Sequence, residues 1–198
     1  MGAFSQAVPE RVPASYYGVS YAYALSASNA DGSHQVYFDL ECGGWGGHPN
    51  GDGANGFSCG FHNISNTPVE MIENDYPLTF LQYGLIPNSG GKGKFGGGLG
   101  LVREFRLDAP EGTFSANLDR FKIPPYGLAG GRPGRPGYLV LRRAGVEEEQ
   151  KLASKVAGLT MKTGDIIRLE TAGGGGHGNP QERSNAATTA DQLQGYTR

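Results

Sequence analysis

Residues 16–25 read Tyr-Tyr-Gly-Val-Ser-Tyr-Ala-Tyr-Ala-Leu, and this stretch is the clearest indication of the fold class. The larger side chains that alternate with smaller ones are Val19, Tyr21, Tyr23 and Leu25. A period of two residues is typical of a β-strand with one buried face. Residues 29–32, Asn-Ala-Asp-Gly, contain the Asp-Gly pair that is typical of a hairpin turn. Because residues 35–41 can form the answering strand, the sequence predicts an antiparallel hairpin near residues 17–41.

Several later stretches also have the composition of β-strands. They are residues 99–107, 113–123, 138–142, 156–159 and 166–170. Residues 68–85 mix aliphatic and aromatic side chains. We expect the following to contribute to the core: Met71, Tyr76, Phe80, Leu81 and Tyr83.

Only the C-terminal region resembles the start of a helix. Asn179 is a suitable N-cap, Pro180 suits the first helical position, and Glu182 can complete a capping box. We therefore predict a mainly β fold with long Gly-rich loops and one short C-terminal helix. We expect one domain over residues 1–198, with residues 1–15 as an extended leader and residues 179–198 as the terminal helix and tail.

The composition argues against several classes of protein. The chain has 198 residues, of which 34 are Gly and 12 are Pro, and its formal net charge is −2. Its 37% hydrophobic content favours a folded chain over a disordered one. The near-zero charge argues against nucleic-acid binding, and no apolar run approaches the ~20 residues that span a bilayer. With two cysteines and no secretory signal, we expect a cytoplasmic protein without nucleic-acid or membrane partners.

Two long glycine-rich loops interrupt the predicted strands, at residues 43–60 and 88–98. Loops of this length inside a compact domain are usually functional or form interfaces. The first of them carries the polar and aromatic residues Trp45, His48 and Asp52. These three side chains are therefore candidates to face a substrate.

A third glycine run, at residues 173–176, follows a predicted strand and precedes His177 and the predicted helix start. Glycines before a helix N-terminus can let an anion approach backbone amides. They can equally permit tight packing against a neighbouring chain. The sequence leaves both interpretations open, and His177 is a candidate to supply or orient a proton near neutral pH.

Two motif matches do not support a cofactor site. Residues 91–96 fit G-x-G-x-x-G, but a strand follows them where a dinucleotide site requires a helix. A zinc set could be imagined from Cys42, His48, Cys59 and His62, yet structural zinc sites usually have two tight ligand pairs. We therefore expect neither a bound nucleotide nor a metal ligand in this chain.

Charged pairs interrupt two of the apolar strands, at Arg103-Glu104 and Asp119-Arg120. If such charges are buried they must be paired, because an isolated buried charge is costly. If they lie on solvated strand faces they need no partner. We favour the solvated interpretation.

Taken in order, several segments resemble the C-terminal part of the hydantoinase B/oxoprolinase family. The matching stretches are residues 9–14, 43–53, 65–70, 88–91, 96–105, 125–131, 164–171 and 173–180. They read PERVPA, GGWGGHPNGDG, SNTPVE, NSGG, GGGLGLVREF, PYGLAGG, GDIIRLET and GGGGHGNP. They cover almost the whole chain, and their ordered occurrence is specific.

The resemblance implies a subunit of an ATP-dependent complex that opens cyclic amides such as hydantoins, 5-oxoproline or lactams. It implies that ATP and Mg are bound by an A-type partner, which phosphorylates the carbonyl oxygen of the substrate. It also allows a divalent metal in a partner chain. Full B-type subunits are much longer, so the resemblance implies a further partner chain that carries the missing N-terminal part. The family usually has Asp where this chain has Asn179, which argues against acid–base chemistry at that position.

From residue type and loop context, three residues are predicted to be catalytic: His177, His48 and Asp52. A second group is predicted to bind the substrate: Trp45, Gly174, Gly175, Gly176, Arg103 and Glu104. Two alternatives remain open, an ATP-dependent ketone carboxylase subunit of the same family and a non-catalytic docking subunit.

Overall fold

The computed structural model describes residues 2–19, 21–28, 31–58, 60 and 62–197. Within these residues the chain forms nine β-strands arranged as two antiparallel sheets. The strands are β1 Tyr21–Ser28, β2 His34–Glu41, β3 Leu78–Leu85, β4 Leu101–Leu107, β5 Glu111–Asn117, β6 Tyr138–Arg142, β7 Glu149–Lys151, β8 Lys155–Lys162 and β9 Ile166–Glu170. The mainly β fold with long Gly-rich loops is thus confirmed.

The predicted hairpin is present as β1 and β2, in a register that pairs Tyr21 with Glu41 and Ser28 with His34. Two of its turn residues, Asn29 and Ala30, lie outside the described residues. The turn ends at Gly32, whose φ of 84° favours glycine. The first sheet has the strand order β2-β1-β5-β8, and the second has the order β3-β4-β9-β6-β7.

Aromatic side chains fill the space between the two sheets. The ring of Tyr23 on β1 stacks on Phe105 of β4 at a centroid distance of 5.9 Å, and Phe105 also contacts Phe114 of β5 at 6.4 Å. Of the four alternating residues, Tyr21, Tyr23 and Leu25 lie on β1 and are buried, whereas Val19 precedes the strand and is exposed. Burial of such large side chains stabilises the fold by about 2–3 kcal/mol each.

Some expectations for core residues are wrong. Tyr76 and Phe80 do pack against the core. Met71 is 56% exposed, and Leu81 and Tyr83 are also exposed. Met71 lies on the outer side of a short helix whose buried residue is Ile72. Leu81 lies where the register of β3 against β4 shifts, and Tyr83 follows that shift on the same edge strand.

The helices are α1 Gly2–Ala7, α2 Val69–Asp75 and α3 Asn185–Leu193, with a 3-10 turn at Pro180–Glu182. The first of these lies in the leader that we expected to be extended, and the sequence patterns did not predict α2. The C-terminal helix is confirmed, but it begins later than predicted. Asn179 caps only the 3-10 turn, by accepting from the Gln181 amide, and Ser184 caps α3.

None of the helices in the described part of the chain is long and apolar enough to cross a membrane.

Candidate functional site

The glycine run at residues 173–176 lies at the centre of a set of segments that belong to no helix or regular strand. We call this set the glycine lattice; it comprises residues 14–17, 43–47, 89–98, 126–135 and 173–178. Each amide of the central run donates to a carbonyl group of another segment. The acceptors of Gly173, Gly174, Gly175, Gly176 and His177 are Arg135, Gly98, Ser15, Arg132 and Phe95, at 2.8–3.1 Å.

The carbonyl groups of the run are also bonded. Gly174, Gly175 and Gly176 accept hydrogen bonds from amides in three different segments of the lattice. The donors are Gly91, Gly47 and Leu128, at 2.8–3.0 Å. The run is therefore a backbone hydrogen-bond hub that holds the surrounding loops together.

Close packing explains why these positions are glycine. A Cβ atom added to Gly174 would overlap the carbonyl of Trp45, and one added to Gly175 would overlap the carbonyl of Tyr126. Of the two interpretations that the sequence left open, tight packing describes this run, and the neighbours belong to the same chain. An anion or substrate would have to displace existing hydrogen bonds to reach the amides. The substrate-binding role of Gly174, Gly175 and Gly176 stays a prediction.

His177 is buried at the end of the run. Its Nε2 lies 3.0 Å from the carbonyl oxygen of Pro9. Because a carbonyl can only accept, this nitrogen carries the proton. His177 thereby ties the leader to the glycine lattice.

Asp52 is engaged in an ion pair at the surface of the lattice. It accepts from the Gly96 amide at 2.6 Å and pairs with Arg183 at 2.8 Å. Burial tends to raise the pKa of this carboxyl, but the hydrogen bonds from Arg183 and Gly96 outweigh burial and lower it. Arg183 also binds Asp191 of α3 at 2.7 Å, so Asp52 helps to attach the C-terminal helix.

His48 lies in an exposed turn and pairs with Gly51 through the backbone. Its Nδ1 accepts from the Asn50 amide at 3.3 Å. An electrostatic interaction with His48 also lowers the pKa of Asp52, so the two side chains are neighbours. The catalytic roles of His48, Asp52 and His177 remain predictions.

Trp45 connects the glycine lattice to Phe57 and Ser58, which form part of the wall of the cleft described in the next paragraph. Its Nε1 donates to the Ser58 carbonyl at 2.8 Å, and its ring contacts Phe57 edge-on at a centroid distance of 6.1 Å. Trp45 thereby supports the loop at residues 56–58. Its substrate-binding role stays a prediction, since Ser58 and Phe57 line the cleft and Trp45 stands behind them.

The cleft has a volume of about 210 Å³ and lies between the end of β2, the loop after it and β3. It is lined by Leu40, Glu41, Cys42, Gly56, Phe57, Ser58, His62, Asn63, Ile64, Ser65, Asn66 and Tyr83. Its lining combines apolar rings with amide side chains and one carboxyl group. This mixture is typical of sites that bind small molecules.

A buried charge cluster centred on Arg103 stands behind the cleft. Arg103 is 1% exposed, so the solvated interpretation of this residue is wrong. Its guanidinium group lies 2.6 Å from both Asp39 and Glu41 and 2.5 Å from the amide oxygen of Asn66. It also lies over the ring of Tyr83, at 4.5 Å from the centroid. Arg103 is held by protein groups on every side, and its substrate-binding role stays a prediction.

Glu41 is the carboxyl group of the cluster that also lines the cleft. Its Oε1 accepts from the Tyr23 hydroxyl at 3.1 Å and lies against Nε of Arg103, without a well-aligned hydrogen bond. Burial raises the pKa of Glu41 to about 7, against the opposing effect of Arg103. A buried carboxyl with a raised pKa at the edge of a cleft is characteristic of functional sites.

Glu104 faces the opposite side of the sheet from Arg103, because successive strand residues point to opposite faces. It is nearly buried and is paired with Arg142 at 2.7 Å and with Arg168 at 3.5 Å. The solvated interpretation is therefore wrong for Glu104 as well. The two residues that the sequence grouped as one charged pair belong to separate networks, and a substrate-binding role of Glu104 stays a prediction.

Sequence patterns did not point to Asp39, Glu41 or Asn66. The first two occupy alternate positions of β2, on the face that also buries Tyr37. Two carboxyl groups on the inward face of a strand require a buried cation. These two carboxyl groups on β2, together with Arg103 on another apolar strand, were the feature of the sequence from which the cluster could have been predicted.

The described residues contain no group of three or more metal-ligating side chains. Cys59, one member of the imagined zinc set, lies outside them.

Comparison with known proteins supports the family resemblance that the motifs suggested. The sequence pattern of the hydantoinase B/oxoprolinase family matches residues 1–180. The chain is 34% identical over 196 residues to the B component assigned to a D-/L-hydantoinase of a Pseudomonas species, covering 99% of the chain and 33% of that protein. It thus spans about a third of the length of this relative.

Two solved structures share the fold. The ATP-dependent caprolactamase of Pseudomonas jessenii superposes with a TM-score of 0.87 at 25% identity, over 99% of this chain and 35% of the other. Acetone carboxylase superposes with a TM-score of 0.76 at 20% identity, over 98% of this chain and 30% of the other.

Proposed function

Because the chain belongs to the hydantoinase B/oxoprolinase family, we propose that it is a small subunit of an ATP-dependent complex that opens cyclic amides. Substrates of this class include hydantoins, 5-oxoproline and lactams. The observation that carries the proposal is the match of the family pattern over residues 1–180. The fold shared with an ATP-dependent caprolactamase over 99% of the chain supports it.

We assign ATP and Mg to an A-type partner subunit. In this chain the G-x-G-x-x-G stretch at residues 91–96 is part of the glycine lattice. Its Gly91 amide donates to Gly174 and its Phe95 amide donates to His177, so these donors already have protein partners. The A-type subunit would transfer the γ-phosphoryl group of ATP to the amide oxygen and release ADP, which would make the amide carbon open to attack by water.

Most of the length of a B-type polypeptide lies outside the part that this chain matches. The chain covers 33% of its hydantoinase relative and 35% of the caprolactamase chain. We expect the remaining B-type length to complete the active site, with any divalent metal held there. This chain would contribute the rigid glycine lattice and the cleft next to Glu41.

Two other functions make different predictions. A ketone carboxylase subunit is compatible with the fold shared with acetone carboxylase. A docking subunit without catalytic residues is compatible with the internal use of the central glycine amides.

Reconstitution of the complex distinguishes the cyclic-amide hydrolase from the ketone carboxylase. The chain is combined with its A-type partner and the remaining B-type polypeptide, and opening of hydantoin, 5-oxoproline and caprolactam is measured with and without ATP. We expect ring opening that requires ATP, Mg and this chain, and that does not require bicarbonate. Ring opening at full rate without nucleotide would contradict the proposal, and ATP-dependent consumption of a ketone with bicarbonate would favour the carboxylase.

A further inference from the structure

The cleft next to Glu41 has an acceptor that no group of the described residues uses. The carboxyl oxygen Oε1 of Glu41 contacts Tyr23 and Arg103, but no hydrogen bond to Oε2 exists among the described residues. Glu41 is only 2% exposed, and the surface that it retains belongs to the cleft. Oε2 is therefore the oxygen that a bound molecule can reach.

A donor lies in the same cleft. Arg103 donates to Oδ1 of Asn66 at 2.5 Å, which fixes the orientation of this amide. The Nδ2 group of Asn66 must then point away from the guanidinium group, and none of the described residues accepts from it. Among the polar groups that line the cleft, Glu41 thus offers an acceptor and Asn66 a donor.

This pair of groups matches an amide better than an ion. An anion would be repelled by the carboxyl group of Glu41, which lines the cleft. A cation would face the Asn66 donor and the apolar walls formed by Phe57, Ile64 and Tyr83, and these groups cannot replace the water molecules that it loses. A neutral amide can donate its N–H to Glu41 and accept from Asn66 with its carbonyl oxygen.

We propose that this cleft binds a small neutral amide, with Glu41 accepting its N–H and Asn66 donating to its carbonyl oxygen. Arg103 is a positioning residue, because it touches Glu41 and Asn66 but has no free group for the ligand. The volume of about 210 Å³ suits a single small ring. The choice of a cyclic amide as the probe rests on the proposed function.

The proposal is tested by titrating the full chain with 2-pyrrolidinone and following backbone amide signals by NMR. We expect saturable shifts at residues 41, 66 and 83. N-methyl-2-pyrrolidinone lacks the N–H, so it should bind at least tenfold more weakly. Equal binding of the two ligands, no saturable binding, or tighter binding of n-butylamine than of 2-pyrrolidinone would overturn the proposal.

Two variants assign the binding to the named groups. Asn66→Asp keeps an oxygen for Arg103 but loses the donor, and we expect at least tenfold weaker binding. Asn185→Asp is the matched control on α3 and should change the affinity less than twofold. If both variants bind like the unchanged chain, Asn66 does not hold the ligand and the proposal is wrong.

The pH dependence gives an independent test. Since the pKa of Glu41 is raised to about 7, its ionised fraction rises about tenfold between pH 6 and 8. Binding should strengthen by about the same factor, and Glu41→Gln, which keeps an acceptor oxygen, should bind without this dependence. A dependence that survives in Glu41→Gln would contradict the role of Glu41. These measurements need no ATP or partner, so a negative result would not argue against the proposed complex. A failed reconstitution would likewise not argue against ligand binding in the cleft.

Discussion

The glycine lattice and the two-sheet core are stabilised by opposite means. In the core, aromatic rings such as Tyr23 and Phe105 fill the space between sheets, and burial of apolar surface supplies the stability. In the lattice, Gly174 and the glycines next to it have no side chains, so backbone segments approach each other closely. Hydrogen bonds between these segments hold them together.

Each region should therefore respond to substitution in its own way. A core that consists of side chains loses stability in proportion to the atoms that are removed. The glycines of the lattice have no side-chain atoms to lose, and their close packing fails when atoms are added. The same chain should be sensitive to small-to-large changes in one region and to large-to-small changes in the other.

The largest effect is expected for Gly174→Ala. The new Cβ would overlap the Trp45 carbonyl, which cannot move without breaking its hydrogen bond to Gly98. We expect a loss of more than about 5 kcal/mol in the free energy of unfolding, or no soluble protein. Gly84→Ala is the matched control, because a Cβ at this position of β3 meets nothing within 4 Å. It should change stability by less than about 1 kcal/mol in urea denaturation. Similar stabilities for the two variants would show that the lattice tolerates added atoms.

Phe105→Ala tests the core in the opposite direction. Phe105 is fully buried between Tyr23 and Phe114. Its truncation leaves a cavity and should cost about 3–5 kcal/mol. Phe38→Ala removes the same atoms from a side chain that is 60% exposed, and should cost less than about 1 kcal/mol. A core variant as stable as the surface variant would show that the sheets are not packed as described.

Sequence patterns predicted the core region better than the lattice, and the reason is physical. Alternating side chains on β1 and β2 report which face is buried, so the hairpin could be recognised. Glycines report only that a side chain is absent, so the run at residues 173–176 fitted an anion site and a packing site equally well. Its partners come from distant segments such as residue 15 and residue 132, and no local signal contains that information.

The candidate site was predicted only in part for the same reason. Arg103 was singled out because a charge in an apolar strand is conspicuous. Its partners Asp39 and Glu41 lie on a strand that pairs in the other sheet, and only the packing of the two sheets brings them together.

Glu41→Gln tests how much the burial of the ionised Glu41 carboxyl group destabilises the folded state. Burial raises the pKa of Glu41 from 4.5 to about 7, so the folded state holds a proton that the unfolded state has released. The free energy of unfolding should therefore fall by about 3 kcal/mol as pH rises from about 4.5 to 7. Glu41→Gln should lack this fall, as measured by urea denaturation at several pH values. Parallel pH profiles for the two proteins would show that Glu41 does not titrate there.

The smallest effect is expected for Asp52→Asn at the surface of the lattice. The ion pair between Asp52 and Arg183 is partly exposed, so its loss should cost about 0.5–1 kcal/mol, and less at high salt. The measurement is thermal denaturation at two salt concentrations. Unchanged stability at both salt concentrations would show that the ion pair does not stabilise the fold, and a catalytic Asp52 would in addition cause a collapse of ATP-dependent turnover in the reconstituted complex.

Hydrogen–deuterium exchange of the Gly174, Gly175 and Gly176 amides is the sharpest test that the glycine lattice is a hydrogen-bonded interior. Because each amide is buried and donates to a carbonyl of this chain, we predict that all three exchange as slowly as the amide of Phe105, through global unfolding alone. Exchange as fast as that of the exposed turn at Gly145 would show instead that the glycine run is an open loop.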